Sequence, residues 1–276
     1  GARMHMPTLQ DMPLAHNVMV TADQEQQILD YCHNDVDTTE KLLKTLEPEI
    51  MLRVEMSRVY NVDLRSKSDS QMAEQAYIKS MGLKKRDNKI PKTIKYQPPS
   101  FLEFQDPDLQ TLLNKVSKHV FEMNPATGHV VLPEFLGKEI VQYKRGKYQL
   151  GVGGIHSVHD KKVCYTAGDE IMTEIDAASF YPSIILECGF IPETLGKAFV
   201  EEYRKIYTQR LKAKAEGNKT TSETLKISLN GTFGKLASKY SVLYAPDLML
   251  AVTLTGQLTL LMLIEKLESV GVETLS

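Results

Sequence analysis

A chain of 276 residues, 42% of them hydrophobic, is long enough for more than one globular unit at roughly 150 residues per domain. Its net charge of −2 excludes a uniformly basic nucleic-acid binder. No window is expected to match a membrane span, and the start lacks a signal-peptide pattern, so we expect a cytoplasmic protein without a membrane partner. Cys32, Cys164 and Cys188 are odd in number and widely separated, which predicts packing residues in a reducing compartment.

Local charge departs from the average. Basic residues concentrate in three blocks, at 82–96, 143–148 and 210–219, whereas acidic residues gather within 22–40. A phosphate backbone responds to such local density, which makes nucleic acid a candidate partner. Ordinary charge fluctuation on a solvated surface is the alternative interpretation.

The first half of the chain reads mainly as helix. Apolar residues with helical spacing predict a helix over 24–47, and the pattern of residues 48–82 also predicts helix. Proline and polar residues then concentrate at 87–108, which predicts an irregular connector and a boundary nearby.

Residues 129–175 read as strands, because β-branched and aromatic residues are frequent and glycines interrupt them. Asp176 is expected to end the last of these strands. The predicted fold class is therefore α+β, with a helical N-terminal part, a β-rich middle with a mixed or antiparallel sheet, and a helical hairpin.

The hairpin is predicted over 199–240 as two antiparallel helices. Phe199, Tyr203 and Ile206 have helical spacing, and Gly217 is placed to end the first helix. Thr220 with Glu223 predicts a capping box for the second helix.

The two helices carry candidate ligand-binding faces. Lys226, Asn230 and Phe233 share one face of the second helix, and Arg210 and Lys214 share a stripe of the first. If the faces converge, three cations meet at one point, which suits a polyphosphate such as a nucleoside triphosphate. A solvated helix pair with lysines facing water is the alternative.

Two segments resemble the sequence motifs of family B DNA polymerases. The sequence as a whole is most similar to the polymerases of this family from bacteriophages. "DAASFYPSI" (176–184) resembles motif A, DxxSLYPS, with phenylalanine in place of leucine. "KISLNGTFG" (226–234) is similar to motif B, KxxxNSxYG, with Gly231 replacing serine and Phe233 replacing tyrosine.

Two further segments extend the resemblance. "YQLGVGGIHS" (148–157) resembles the glycine-containing junction between exonuclease and polymerase modules, which implies DNA contact at Gly153 and Gly154. "YCHND" (31–35) resembles the third exonuclease motif, YxxxD, with Tyr31 and Asp35. The implied organisation is an exonuclease remnant (1–48), a connector (49–128), a first palm part (129–198), the fingers (199–240) and a second palm part (241–276).

The resemblance implies template-directed DNA synthesis by two-metal nucleotidyl transfer from dNTPs to a primer 3′-hydroxyl. Two Mg²⁺ ions, or Mn²⁺ as a substitute, would be held by the Asp176 carboxylate and the Ala177 carbonyl. Asp176 and Lys226 would be the catalytic residues. For Asp176 alone, a helix N-cap is the competing explanation.

The implied dNTP site has its own residues. Motif A would supply Ala177, Ala178, Ser179, Phe180 and Tyr181, whereas the hairpin would supply Arg210, Lys214, Lys226 and Asn230. Tyr181 would exclude a 2′-hydroxyl, although an ordinary core tyrosine fits the sequence too. Phe233 and Gly234 would lie at the nascent base pair.

The implied partners are primer–template DNA, dNTPs and the remainder of a polymerase chain, with priming from a nucleic-acid end favoured over protein priming. After the hairpin, the only acids are Asp247, Glu265, Glu268 and Glu273, and no Asp-Thr-Asp motif follows. We therefore expect an inactive fragment of a polymerase with proofreading activity. A non-catalytic DNA-binding or scaffold module remains an alternative, whereas the missing GxxxxGK[ST] disfavours a small-molecule kinase.

Overall fold

The chain divides into two units, Gly1–Ser66 and Lys67–Ser276. The computed structural model describes residues 10–15, 17–85, 87–151, 153–159, 163–177 and 179–275. Helices and small antiparallel sheets together confirm the α+β fold class. The division at residue 66 differs in position from the implied boundary at 48, which falls inside the first helix.

The first unit is built on one long helix, α1 (Ala22–Tyr60), of 39 residues. Gln24 closes its start, because its side-chain oxygen accepts the Thr21 backbone N–H at 3.1 Å. Asn61 ends the helix in a left-handed conformation with φ 51°. The helical periodicity at 24–47 is thus confirmed, although Leu29 and Val36 remain exposed.

The second unit contains the remaining elements within the described residues. They are α2 (Asp69–Met81), β1 (Thr93–Lys95), α3 (Pro107–Lys118), β2 (Val120–Glu122), α4 (Glu134–Gly137), β3 (Ile140–Tyr143), β4 (Gly146–Leu150), β5 (Ile155–Ser157), α5 (Phe180–Glu187), α6 (Gly196–Ala215), α7 (Lys219–Leu236) and α8 (Pro246–Ser269). β1 pairs antiparallel with β2, and β4 lies between β3 and β5 in a three-stranded antiparallel sheet.

The first core joins five helices, α2, α5, α6, α7 and α8. Its largest buried rings are Tyr77, Phe199 and Tyr203, and the Phe199 and Tyr203 ring centroids lie 5.7 Å apart. Ile185, Leu229 and other aliphatic side chains complete it. Buried apolar area of this extent is the main stabilising contribution to such a layer.

The second core lies under β1, β2, β4, α3 and α4, and α8 contributes to both cores. By length and composition α8 would suffice to cross a membrane, which makes the expectation that no window matches a span wrong. Core helices share this property, and 61% of the relevant α8 window is buried. Its buried Gln257 and Glu265 both hydrogen-bond to other segments of this unit.

The predicted helical hairpin is confirmed as α6 and α7. Gly217 adopts φ 71° after α6, a left-handed conformation that glycine reaches without steric cost. The predicted capping box is wrong, because Asn218 caps α7 by accepting the Thr221 N–H at 3.0 Å. The Tyr203 hydroxyl donates to the Leu229 carbonyl at 3.3 Å and so links the two helices.

The predicted strand before Asp176 is absent from the described residues 163–177. Its β-branched residues suggested a strand, but Ile171 and Ile175 are 90% and 75% exposed. Among the residues that the structure describes, no neighbouring strand pairs with this segment, and without a partner an extended segment has no ladder to satisfy its backbone.

The prediction that all three cysteines are packing residues is also wrong in part. Cys32 and Cys164 are exposed, whereas Cys188 is half-buried against the first core. Burial raises the pKa of the Cys188 thiol above its ordinary value, with the nearby Glu187 carboxylate as a smaller cause.

Candidate functional site

The candidate site is organised around the turn that precedes α5. Ser179 is the N-cap of this helix and has φ 54° and ψ 43°, a left-handed conformation that is uncommon for residues other than glycine. Pro182 lies in the first helical turn, where its missing N–H breaks no helical bond. A constrained backbone of this kind is a reason to look for function in its neighbours.

Tyr181 connects the turn to the hairpin. Its ring stacks on Phe233 of α7 with centroids 4.6 Å apart and an interplanar angle of 30°. Its hydroxyl donates to the Gly153 carbonyl at 2.7 Å. The structure therefore brings together three segments singled out in the sequence, those containing Gly153, Tyr181 and Phe233.

Gly256 and Gln257 of α8 position these segments, and sequence reasoning missed both. A Cβ on Gly256 would lie 3.2 Å from Phe180 and 3.3 Å from Tyr181, so glycine allows α5 to approach α8 closely. The Gln257 amide accepts the Gly151 N–H at 2.9 Å and donates to the Gly151 carbonyl at 3.0 Å. The signal was the polar triplet "TGQ" in an otherwise apolar stretch.

Arg210 of α6 reaches the same turn. Its Nη1 donates to the Ser179 hydroxyl at 2.9 Å. Its Nε is buried and finds no acceptor among the residues that the structure describes. A guanidinium with a free buried N–H beside a helix start is a favourable arrangement for an anionic oxygen.

No described contact joins the other predicted polar residues of the hairpin, Lys214, Lys226 and Asn230, to the Ser179 turn. Lys226 pairs with Glu223, one turn away, at 3.1 Å. Lys214 and Asn230 are exposed, while Lys226 is half-buried. Of the three cations predicted to converge, only Arg210 has a described contact with the Ser179 turn. Lys226 instead pairs with the exposed carboxylate of Glu223, which a ligand could replace.

Gly231, not Gly234, is the glycine that permits a close approach within α7. A Cβ on Gly231 would lie 2.7 Å from the Asp69 carbonyl oxygen and 2.8 Å from the Ala73 Cβ. A Cβ on Gly234 would meet only the Ser70 Cβ, at 4.0 Å. Gly231 therefore lets α7 pack directly on α2, a role that its place in the motif did not reveal.

The predicted metal ligands lie in an irregular, exposed stretch. Asp176 and Ala177 are both exposed, and Ala178 falls outside the described residues. Across the described ranges, no group of three or more His, Cys, Asp or Glu side chains is placed to hold a metal ion. Asp176 alone does not supply the ligands that two Mg²⁺ ions require.

The four later acids have structural partners. Asp247 accepts the Glu193 N–H at 2.8 Å, and Glu265 accepts the Gln105 and Asp106 N–H groups at 2.9 and 2.7 Å. The remaining two bond near the end of the chain, where Glu268 accepts from Thr274 and Glu273 accepts from Arg145. None is grouped with Asp176.

Tyr31 and Asp35 lie together on α1. The Tyr31 pKa is raised chiefly by its hydrogen bond to the Asp35 carboxylate, and the negative charge of Asp35 adds to the effect. One helical turn separates the two residues, so the spacing alone accounts for the contact. The Asp11 carboxylate adds the smallest contribution to the same rise. In the part of the chain that the structure describes, Asp35 belongs to no group of three His, Cys, Asp or Glu side chains that could hold a metal ion.

Burial is the main influence on the pKa values of Tyr181 and Tyr203. It raises the pKa of the half-buried Tyr181 and, more strongly, that of the fully buried Tyr203. The positive charge of Arg210 opposes the effect at Tyr203. Both phenols therefore stay protonated at neutral pH, which preserves their hydrogen bonds to backbone carbonyls.

The candidate site thus consists of five residues joined by these contacts: Gly153, Ser179, Tyr181, Arg210 and Phe233. It combines a stacked aromatic pair, a constrained turn and a cation with one free N–H, which suits a ligand with a planar or sugar moiety and an anionic group. Comparisons with known protein families, with curated proteins and with solved structures find no match for this chain.

Proposed function

We propose that the chain forms the nucleotide-binding palm and fingers part of an enzyme that performs template-directed DNA synthesis. The observation that carries the proposal is the stacking of Tyr181 on Phe233. It supports the proposal because the two segments that resemble motifs A and B would have to meet around one nucleotide. The contact between Arg210 and Ser179 links the same turn to the other hairpin helix.

In this proposal different residues bind the phosphates, the sugar and the base of the nucleotide. Arg210 and Lys226 donate to phosphate oxygens, for which Lys226 exchanges its partner Glu223. Tyr181 packs beneath the deoxyribose, and Phe233 packs against the nascent base pair. The Tyr181–Gly153 hydrogen bond fixes the ring, so that its position is set before a nucleotide arrives.

The proposal includes two Mg²⁺ ions, with Asp176 and the Ala177 carbonyl among their ligands. The ions would stabilise charge on the attacking and leaving oxygens. Proofreading in the intact enzyme belongs to the same proposal, with Tyr31 and Asp35 as its proposed residues in this chain. Primer–template DNA and the remainder of the polymerase are the proposed partners, in a cytoplasmic setting.

Nucleotide binding tests the proposal. Lys226→Ala removes one charge-assisted contact, so we expect the Kd of the chain for magnesium–dNTP to rise roughly ten- to a hundredfold, equally for all four bases. Displacement of a fluorescent nucleotide measures this Kd. The matched control is Lys212→Ala, which removes an exposed lysine of α6 paired with Glu216.

The control variant should bind dNTPs as the unmodified chain does. A base-selective loss in Lys226→Ala, or an equal loss in both variants, would remove Lys226 from the triphosphate site. Absence of dNTP binding by the unmodified chain would contradict the nucleotide site itself.

A further inference from the structure

A run of lysines on the second unit has no acidic partner among the described residues. Segment 82–96 contains six basic residues and one acidic residue in a chain whose net charge is −2. The described lysines of this segment are all exposed; they are Lys84, Lys85, Lys89, Lys92 and Lys95. Unneutralised charge at this density attracts a polyanion.

Tyr240 presents an exposed ring beside another lysine. The residue is 81% exposed, in the loop between α7 and α8. The Lys239 ammonium lies 5.1 Å from the ring centroid, within cation–π distance. An aromatic ring that contributes so little to the core is available to stack on a ligand.

Asn88 joins the lysine run to this ring. Its side-chain amide donates to the Lys239 carbonyl at 3.0 Å and to the Ser241 carbonyl at 2.6 Å. The backbone on both sides of Tyr240 is therefore fixed to the residue that precedes Lys89. The ring and the lysines thus belong to one surface, although about 150 residues separate them in sequence.

Further contacts hold this surface in place. Glu74 of α2 accepts the Ser241 hydroxyl at 2.6 Å and the Val242 N–H at 2.9 Å. The Lys92 carbonyl accepts the Met123 N–H at 3.0 Å, which anchors the other side. A surface that is already ordered loses little conformational entropy when it binds.

We propose that Tyr240, Lys239, Lys89 and Lys92, named here the lysine–tyrosine surface, bind single-stranded nucleic acid. A base stacks on the Tyr240 ring while the lysines contact adjacent phosphates. Lys84, Lys85 and Lys95 extend the positive charge along the strand. The proposal uses no residue of the candidate site and stands whether or not the chain binds dNTPs.

The chemistry of the surface favours nucleic acid over an anionic membrane. Both partners carry phosphates, but a membrane-binding surface needs a broad apolar face in addition to its charges. Here the exposed Tyr240 ring lies beside the Lys239 ammonium, and Asn88 donates to the backbone carbonyls of the residues on either side of the ring. An exposed ring beside a lysine, next to a lysine-rich segment, fits the repeating base and phosphate of an unpaired strand.

A tryptophan reporter tests the stacking step. The chain contains no tryptophan, so Tyr240→Trp introduces a unique fluorophore at the proposed contact. The matched control is Tyr165→Trp, at a tyrosine that is 84% exposed and outside the surface. Titration with oligo(dT) and, separately, oligo(U), without dNTPs or Mg²⁺, should quench Tyr240→Trp and leave Tyr165→Trp unchanged.

Anisotropy of labelled oligonucleotides tests the affinity. Tyr240→Ala should weaken binding roughly tenfold, whereas Tyr240→Phe should retain it, because stacking needs the ring and not the hydroxyl. Lys89→Gln with Lys92→Gln should reduce the slope of log K against log salt by about 0.7 per lysine. The pair Lys197→Gln with Lys266→Gln, both exposed elsewhere, should not.

Comparison of the oligo(dT) and oligo(U) titrations shows whether the lysine–tyrosine surface prefers single-stranded DNA or single-stranded RNA. The proposal is overturned if neither oligonucleotide quenches Tyr240→Trp more than Tyr165→Trp, or if Tyr240→Ala binds as tightly as the unmodified chain. Binding to phosphatidylserine vesicles without binding to either oligonucleotide would overturn it in favour of a lipid surface. Because dNTPs are absent throughout, these outcomes are separate from a failure of the nucleotide site.

Discussion

Tyr181 makes two contacts whose roles can be separated by substitution. Tyr181→Ala opens volume beneath the proposed sugar position, so we expect the preference for dATP over ATP to fall roughly tenfold or more. Tyr181→Phe keeps the ring and loses only the hydrogen bond to Gly153, so it should retain the preference. The measurement is the ratio of the two Kd values for each variant. An unchanged ratio in Tyr181→Ala would make Tyr181 an ordinary packing residue.

Gly231 and Gly234 form a matched pair for stability. Gly231→Ala places a methyl group 2.7 Å from the Asp69 carbonyl oxygen, so we expect a loss of about 1–3 kcal/mol in the free energy of unfolding. Gly234→Ala meets no close atom and should gain up to about 1 kcal/mol from helix propensity. Urea unfolding followed by circular dichroism measures both changes. A stabilising Gly231→Ala would show that α7 and α2 separate easily at this point.

The functional importance of a residue could be predicted where the sequence carried a motif. It could not be predicted where the role of the residue depends on packing between elements. Helical spacing drew attention to Phe233 and the resemblance to motif A drew attention to Tyr181, but neither could predict that the two rings stack across two elements. Gly256 was missed because close approach depends on the partner helix, which the sequence does not identify. The partner of Lys226 was equally hidden, although Glu223 lies only three residues away.

The end of α8 provides a test of pH dependence. Glu268 accepts the N–H and hydroxyl of Thr274, each at 2.8 Å, and its pKa lies below its ordinary value chiefly because of the backbone hydrogen bond. A depressed carboxyl pKa stabilises the fold above the ordinary value of 4.5, and this contribution is lost as pH falls through the folded pKa. We expect Glu268→Gln to cost about 1 kcal/mol at neutral pH.

The difference in unfolding free energy between the unmodified chain and Glu268→Gln should therefore shrink below about pH 5. Denaturant titrations at a series of pH values measure it. A difference that stays constant into acid would show that the Glu268 contacts do not depend on its charge.

Helices with strong periodicity and clear end signals could be predicted, and the α6–α7 hairpin is the clearest case. Gly217 marked the turn, yet the cap fell on Asn218, because caps compete locally within one or two residues. The segment before Asp176 failed for a different reason. Its residues favour strands, but a strand requires a neighbour, and β-propensity gives no information on whether one exists.

The chain by itself is expected to show no primer extension above background with Mg²⁺, dNTPs and a primed template. The two-metal mechanism needs several carboxylates, and the described residues assemble no such group. An active polymerase on the same template serves as the positive control. Incorporation by the chain that Asp176→Ala abolishes would show that a second carboxylate joins Asp176 in solution.

The α+β class followed from composition and periodicity, but the division into two units did not. The boundary at residue 66 lies in a short loop without the proline-rich composition that marked 87–108. The connector instead contains β1 and the polar contacts of Asn88, and so belongs to the body of the second unit. Composition identified an irregular segment correctly and could not tell whether its residues were packed.

The position of α8 between two cores has a consequence for biosynthesis. A polypeptide emerges from the ribosome in sequence order, and residues 67–245 precede the helix that completes both cores. Until Pro246–Ser269 has left the exit tunnel, the apolar sides of both cores stay open to water and to other nascent chains. Translation of this region therefore passes through an interval in which chaperone binding would compete with aggregation, and the interval closes when a single helix docks.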